Sequence, residues 1–299
     1  MARVLGIGIA TVDIVNTVDG YPPEDAEVRA CAQRVNRGGN ATNTLVVLSQ
    51  LGHRCTWGGV MADDPDARHI RQDLDRYHID TSACVQVPRG KVPTSYVLLN
   101  RRNGSRTIVH YRDLPEFAYA EFEAIDLSGF QWLHFEGRNV KDTRRMLGRA
   151  RRLRPDLPRS VEVEKARPGM EALFPEATLL LFSRPFARAL GHDDPETFLE
   201  AMRPKAGAAA LVCTWGEKGA WALEGDGPCV HSPAFPPSRV VDTLGAGDTF
   251  NAGMIHARLW GQPMGRALAT ACRLAGRKVG QTGFDGLGDG ADGAGPSGP

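Results

Sequence analysis

The stretch Asp242–Gly253 reads D-T-L-G-A-G-D-T-F-N-A-G. Gly245 and Gly247 bracket one small residue, Ala246, and a helix-forming run follows at once. A loop of this kind turns successive backbone N–H groups toward solvent at a helix N-terminus. The helix dipole adds partial positive charge there, and the product is an anion hole. Upstream, short apolar runs alternate with amphipathic stretches. Strands are predicted at Arg3–Ile9, Trp57–Met61, Gln131–Phe135, Ser160–Val163, Thr178–Phe182 and Ala208–Cys213. Helices are predicted at Asn40–Leu51, Asp66–Tyr77, Lys141–Leu153, Ala246–Trp260 and Pro263–Val279. That alternation predicts an α/β fold, a mostly parallel central sheet flanked by helices on both faces.

Two regions break the pattern. Ser95–Asn100 and Arg106–Tyr111 are β-rich and flank Asn103-Gly104, a hairpin signal. Thr11–Asn36 reads as irregular and carries Pro22 and Pro23. Together they predict a small antiparallel β lid, drawn from about residues 12–36 and 92–113, on a single domain covering 1–286. The last 15 residues include six glycines, and 287–299 are expected to form a disordered Gly-rich tail.

The 299 residues are 42% hydrophobic and 24% charged, an ordinary globular composition. With 36 basic against 35 acidic residues the net charge is +1, which argues against nucleic-acid or membrane-surface partners. The start of the chain lacks a signal-peptide pattern, and no run is long enough to span a bilayer. The six cysteines show no metal-ligand spacing, which points to a reducing cytoplasm. Gly6-Ile7-Gly8 fails as a dinucleotide fingerprint because Thr11 stands where the third glycine belongs, and no G-x-x-x-x-G-K-[ST] loop exists.

Asp248 is unusual beside an anion hole, since a carboxylate repels phosphate. Either it caps the helix, or it is the general base that phosphoryl transfer to an alcohol needs. Asp13, just past the first strand, is either a solvated turn residue or a ligand for hydroxyl groups at the carboxyl edge of the sheet. Asn40 and Asn43, after Gly38-Gly39, are helix-start residues or amide ligands. Glu162 and Glu164 share one strand face and serve either as ladder-edge charges or as partners of hydrated Mg²⁺.

D-T-x-G-A-G-D resembles the signature of the ribokinase-like (PfkB) carbohydrate kinases, as does R-G-G-N-A-T-N at Arg37–Asn43. Tyr21–Arg29, Gly104–Ile108, Phe135–Asn139, Val161–Lys165 and Gly283–Gly286 extend the likeness to residue 286 and resemble a branch of that family that phosphorylates the C1 hydroxyl of fructose with ATP. The resemblance implies Asp248 as catalytic base and Gly245, Ala246 and Gly247 as the amides that hold the transferring phosphoryl group. It implies Asp13, Gly39, Asn40 and Asn43 as sugar ligands, with Asp248 beside them. Arg106 is implied to reach the nucleotide phosphates, and Gly216, Glu217, Lys218 and Gly219 of W-G-E-K-G to line the ATP site. Otherwise Arg106 is an ordinary edge-strand residue and W-G-E-K-G an ordinary turn.

The implied cofactors are ATP and Mg²⁺, with K⁺ as an accessory in some family members. Metal ligands stay unassigned, because S-R-P-F at Ser183–Phe186 stands where many members carry N-x-x-E. A homodimer through the exposed lid edges is expected. The rival readings are a family kinase for ribose, adenosine or 2-keto-3-deoxygluconate, and a non-enzymatic sugar or nucleotide binder on the same fold.

Overall fold

A computed structural model of the chain describes residues 1–289. In chain order, β1 (Arg3–Ile7) leads to β2 (Thr11–Val18), β3 (Ala32–Gly38), α1 (Asn40–Gln50) and β4 (Arg54–Gly58). Next come β5 (Val60–Ala62), α2 (Pro65–Arg76), β6 (Val85–Val87), β7 (Thr94–Asn100) and β8 (Arg106–Tyr111). A short α3 (Tyr119–Glu123) precedes β9 (Trp132–Glu136), α4 (Val140–Leu153), β10 (Arg159–Val163) and β11 (Leu179–Ser183). The chain continues through α5 (Arg184–Ala189), α6 (Pro195–Met202), β12 (Ala210–Thr214), β13 (Ala220–Leu223) and β14 (Val230–Ser232). It closes with α7 (Ala246–Leu259) and α8 (Met264–Val279).

Eight strands form the central sheet in the order β14-β13-β12-β11-β10-β9-β1-β4. From β12 to β4 every pairing is parallel, and β13 and β14 add antiparallel strands at one edge. The pleat sends alternate residues to opposite faces. Along β11, Leu179 and Leu181 enter the core shared with α1, α7 and α8, while Leu180 and Phe182 enter the core shared with α4, α5 and α6. Helix α1 is buried continuously from Ala41 to Leu48, its polar first turn (Thr42, Asn43 and Thr44) facing the site and its apolar run of residues 45–48 packing in the core with the sheet and α7.

The lid is a separate four-stranded sheet, β3-β2-β7-β8. Its two hairpin pairs are antiparallel, and β2 joins β7 in parallel register, Val12 opposite Thr94. The stretch that reads as irregular therefore holds two strands. Pro22 and Pro23 lie in the connection between them, where a missing N–H leaves no ladder bond unmade.

The expected start of a disordered tail at residue 287 is corrected here. Leu287 is fully buried in the core beside α1 and α8. The guanidinium of Arg277 donates to the carbonyls of Gly286 and Asp289. One apolar side chain and two charge-assisted bonds suffice to anchor this segment, despite its glycines. The rest of the expected tail, 290–299, lies outside the described residues. Among the described residues no helix is long and apolar enough to cross a membrane, and all six cysteines are free.

Candidate active site

The carboxyl ends of the parallel strands, the N-termini of α1 and α7, and the inner face of the lid enclose a cleft of about 780 Å³. Glu136, Glu162, Ser183 and Thr214, at the ends of β9 through β12, all line it. An open parallel sheet places its ligands at this edge.

Helix α7 begins at Gly245, whose φ of 76° lies in the left-handed region; a Cβ there would sit 2.3 Å from the ring of Phe284. Glycine is thus required both by conformation and by space. A Cβ at Gly247 would meet nothing within 4 Å, and both Gly245 and Gly247 line the cleft at the N-terminus of α7. Asp248 is buried in that turn and makes no capping bond to its own helix. Its Oδ2 instead accepts a 2.7 Å hydrogen bond from Asn43 Nδ2, and its backbone carbonyl accepts from Thr44 Oγ1. Burial pushes the Asp248 carboxyl up to about 7; the Asn43 bond and the Arg37 charge hold it down, while Glu164 and Glu136 push it further up.

Helix α1 is entered through Gly39, whose φ is 103° and whose Cβ would meet the carbonyl oxygen of Ile9 at 2.1 Å. That turn directs Asn40 and Asn43 into the cleft, and neither acts as the cap. Asn40 Nδ2 donates to Glu164 at 3.2 Å. Asp13 projects from β2 into the same cleft and accepts a 2.8 Å bond from Thr11 Oγ1.

Acidic groups form the floor. Glu136 Oε1 accepts from the backbone N–H groups of Ala41 and Ile9, and its burial raises its pKa. Glu162 is raised well above the usual carboxylate range by burial and by the neighbouring charges of Asp248 and Glu136; Asn251 Nδ2 donates to it at 3.2 Å. Lys278, fully buried under the glycine loop, donates to the carbonyl of Asp242, and its own burial lowers its pKa. From the lid, Arg106 Nη1 reaches Thr243 Oγ1 at 3.0 Å and so touches the loop directly.

The structure therefore gathers Asp13, Gly39, Asn40, Asn43, Arg106, Gly245, Gly247 and Asp248 around one cleft, with Ala246 in the turn between the two glycines. It does not bring Gly216, Glu217, Lys218 or Gly219 to the cleft wall. They form a tight turn between β12 and β13, and Glu217 pairs with Arg184 at 3.2 Å. Ser183, in the S-R-P-F stretch, caps α5 by accepting from Phe186 N and donates to the carbonyl of Glu164. Arg37, Glu136, Asp242 and Lys278 carry site roles that sequence reasoning missed. Nothing in the local sequence sets these charges apart from exposed ones nearby, and only their partners reveal why they are buried.

A scan against protein families matches residues 1–286 to the pfkB family carbohydrate kinases, and the chain belongs to that family. Over 95% of this chain and 98% of the relative, it is 42% identical to the ketohexokinase of Mus musculus. The fructosamine kinase of Bacillus subtilis is 27% identical over 84% of this chain and 86% of its own. Among solved structures, the ribokinase of Giardia lamblia superposes with a TM-score of 0.82 at 15% identity, covering 95% of this chain and 96% of that one, which speaks to fold alone.

Proposed function

We propose that the protein transfers the γ-phosphoryl group of ATP to the C1 hydroxyl of fructose. The observation that carries the reading is Asp248: a buried carboxylate held by Asn43 in the first turn of α7, directly after Gly245, Ala246 and Gly247. The 42% identity with mouse ketohexokinase supports fructose as the acceptor. Asp13, Gly39, Asn40 and Asn43 hold the sugar hydroxyls. Asp248 takes the proton from the attacking hydroxyl, and a carboxyl near pH 7 suits that task. The helix N-terminus stabilises the charge that spreads over the transferring group. Arg106 holds nucleotide phosphates against the loop, and the Gly216–Gly219 turn, two residues beyond Thr214, borders the nucleotide outside the present cleft wall.

The donor set fits Mg²⁺ carried with the nucleotide. Glu162 and Glu164 offer hard carboxylate oxygens to the cleft, yet no group of three or more acidic, His or Cys side chains among the described residues could cage a metal. Bound there, Mg²⁺ neutralises phosphate charge. Glu164, together with Glu162 once it is ionised, would hold the water shell of such an ion.

The proposal extends to a homodimer through the lid, since β8 is an exposed edge strand carrying Ile108, Val109 and Tyr111. It also includes a cytoplasmic location, which six free cysteines support. An ADP-release assay over fructose, ribose, adenosine and 2-keto-3-deoxygluconate, with and without K⁺, tests the substrate and the need for a monovalent cation together. A turnover preference for any acceptor other than fructose would overturn the assignment. Sedimentation of wild type and of a Val109→Lys variant tests the dimer.

A further inference from the structure

We infer that Arg37 is the positioning residue of the active site: through the Asn43 amide it fixes the orientation of the Asp248 carboxylate. This rests on the reading of Asp248 as the base and adds the device that aims it.

Arg37 stands near the end of β3, immediately before the Gly38-Gly39 turn into α1. Its side chain is only 1% exposed, and three bonds hold the guanidinium. Nε donates to Asp73 Oδ2 at 2.6 Å, and Nη1 donates to Thr42 Oγ1 at 2.9 Å and to Asn43 Oδ1 at 2.7 Å. Asn43 passes the constraint on, because its Nδ2 donates to Asp248 at 2.7 Å. A guanidinium only donates and a carboxylate only accepts. The amide between them can satisfy both in one orientation alone, oxygen toward Arg37 and nitrogen toward Asp248. A chain Asp73–Arg37–Asn43–Asp248 thus links α2, β3, α1 and α7, four elements that meet only in the folded protein.

Without the cation the amide is free to turn, and a turned amide would place its oxygen against the carboxylate. The other charges around Asp248 are Glu136 on β9, Glu162 on β10, Glu164 just after it and Lys278 on α8. Three of those four are acidic. Arg37, with Lys278, offsets them, so removing it also favours the protonated, inactive form of the base.

The test compares Arg37→Met and Arg37→Lys with wild type in the ADP-release assay across pH. Arg37→Met is expected to lower kcat by about 10- to 100-fold, the scale of a misplaced reacting group. The acidic limb of kcat/KM for the sugar should move up by about one pH unit, with the KM for ATP unchanged. Arg37→Lys, which keeps the charge and one donor toward Asn43, should restore the limb and part of kcat. Should Arg37→Met fail to fold, Arg37→Gln serves: it removes the charge while keeping an amide donor, and should move the limb the same way. A limb that stays at its wild-type pH in the folded variants, while Asp248→Asn is inactive, overturns the positioning role alone. An active Asp248→Asn enzyme would instead overturn the base on which it rests.

Discussion

Replacing Asp248 by Asn should abolish turnover and at the same time stabilise the fold at neutral pH. The side chains are nearly isosteric, and an Asn oxygen can still accept from Asn43 Nδ2, so the packing of α1 on α7 survives. A general base contributes roughly 10²–10⁴-fold, which sets the expected loss in kcat. The stability effect follows from the same burial. The Asp248 carboxyl titrates near 7 in the folded protein, up from 3.8. Between those pH values the folded state binds more protons than the unfolded state, so stability falls as pH rises through the window. About 3 pH units at about 1.4 kcal/mol each give a ceiling of about 4 kcal/mol above pH 7. The Asn variant does not ionise and loses this cost. At about 2 °C per kcal/mol for a chain of this size, its melting temperature at pH 8 should rise by roughly 4–8 °C. At pH 4 the gain should vanish. The paired measurements are ADP release with fructose and thermal unfolding at both pH values. A variant that keeps more than about a third of wild-type kcat refutes the base assignment. A melting-temperature gain equal at pH 4 and pH 8 refutes the argument from burial. Wild-type kcat/KM, for its part, should climb with pH and level off above about 7, because only ionised Asp248 accepts the proton.

Asp13→Ala should raise the KM for fructose more than tenfold while leaving that for ATP unchanged, since each charge-assisted bond to a hydroxyl is worth about 1.5–3 kcal/mol; equal losses for both substrates would point to a folding defect instead. Arg106→Ala should do the opposite, raising the KM for ATP by about tenfold or more through loss of a phosphate contact beside Thr243, with sugar binding intact. Leu287→Ala should cost about 2–5 kcal/mol in urea unfolding because the side chain is fully buried, and a change within error would show that the segment after α8 contributes nothing to the core.

Much of this protein is legible along the chain because the relevant signals are local. The anion loop needs only two glycines, a small residue and a helix start within a few positions, all visible at Asp242–Gly253. The strands of the central sheet are buried on both faces, so their apolar runs stand out without knowledge of their neighbours. Of the lid, the β7–β8 hairpin stands out, but β2 and β3 do not, because they carry polar residues toward the cleft and lack a continuous apolar run. The composition of the last residues likewise misplaces the end of the ordered chain, since one leucine that finds a pocket beside α1 outweighs several glycines. The W-G-E-K-G stretch reads by itself as an ordinary turn, and only family resemblance implies a nucleotide role; where it lies relative to the cleft wall depends on how β12, β13 and β14 pair. Sequence by itself could name Asp248 and Asn43 as residues of interest. Only the tertiary structure could join them, across 205 positions, and set Arg37 behind them. The physical reason is that residue type and local spacing decide what a group can do, whereas its ionisation and aim depend on desolvation and on partners brought from distant segments by the packing of the sheet and its helices.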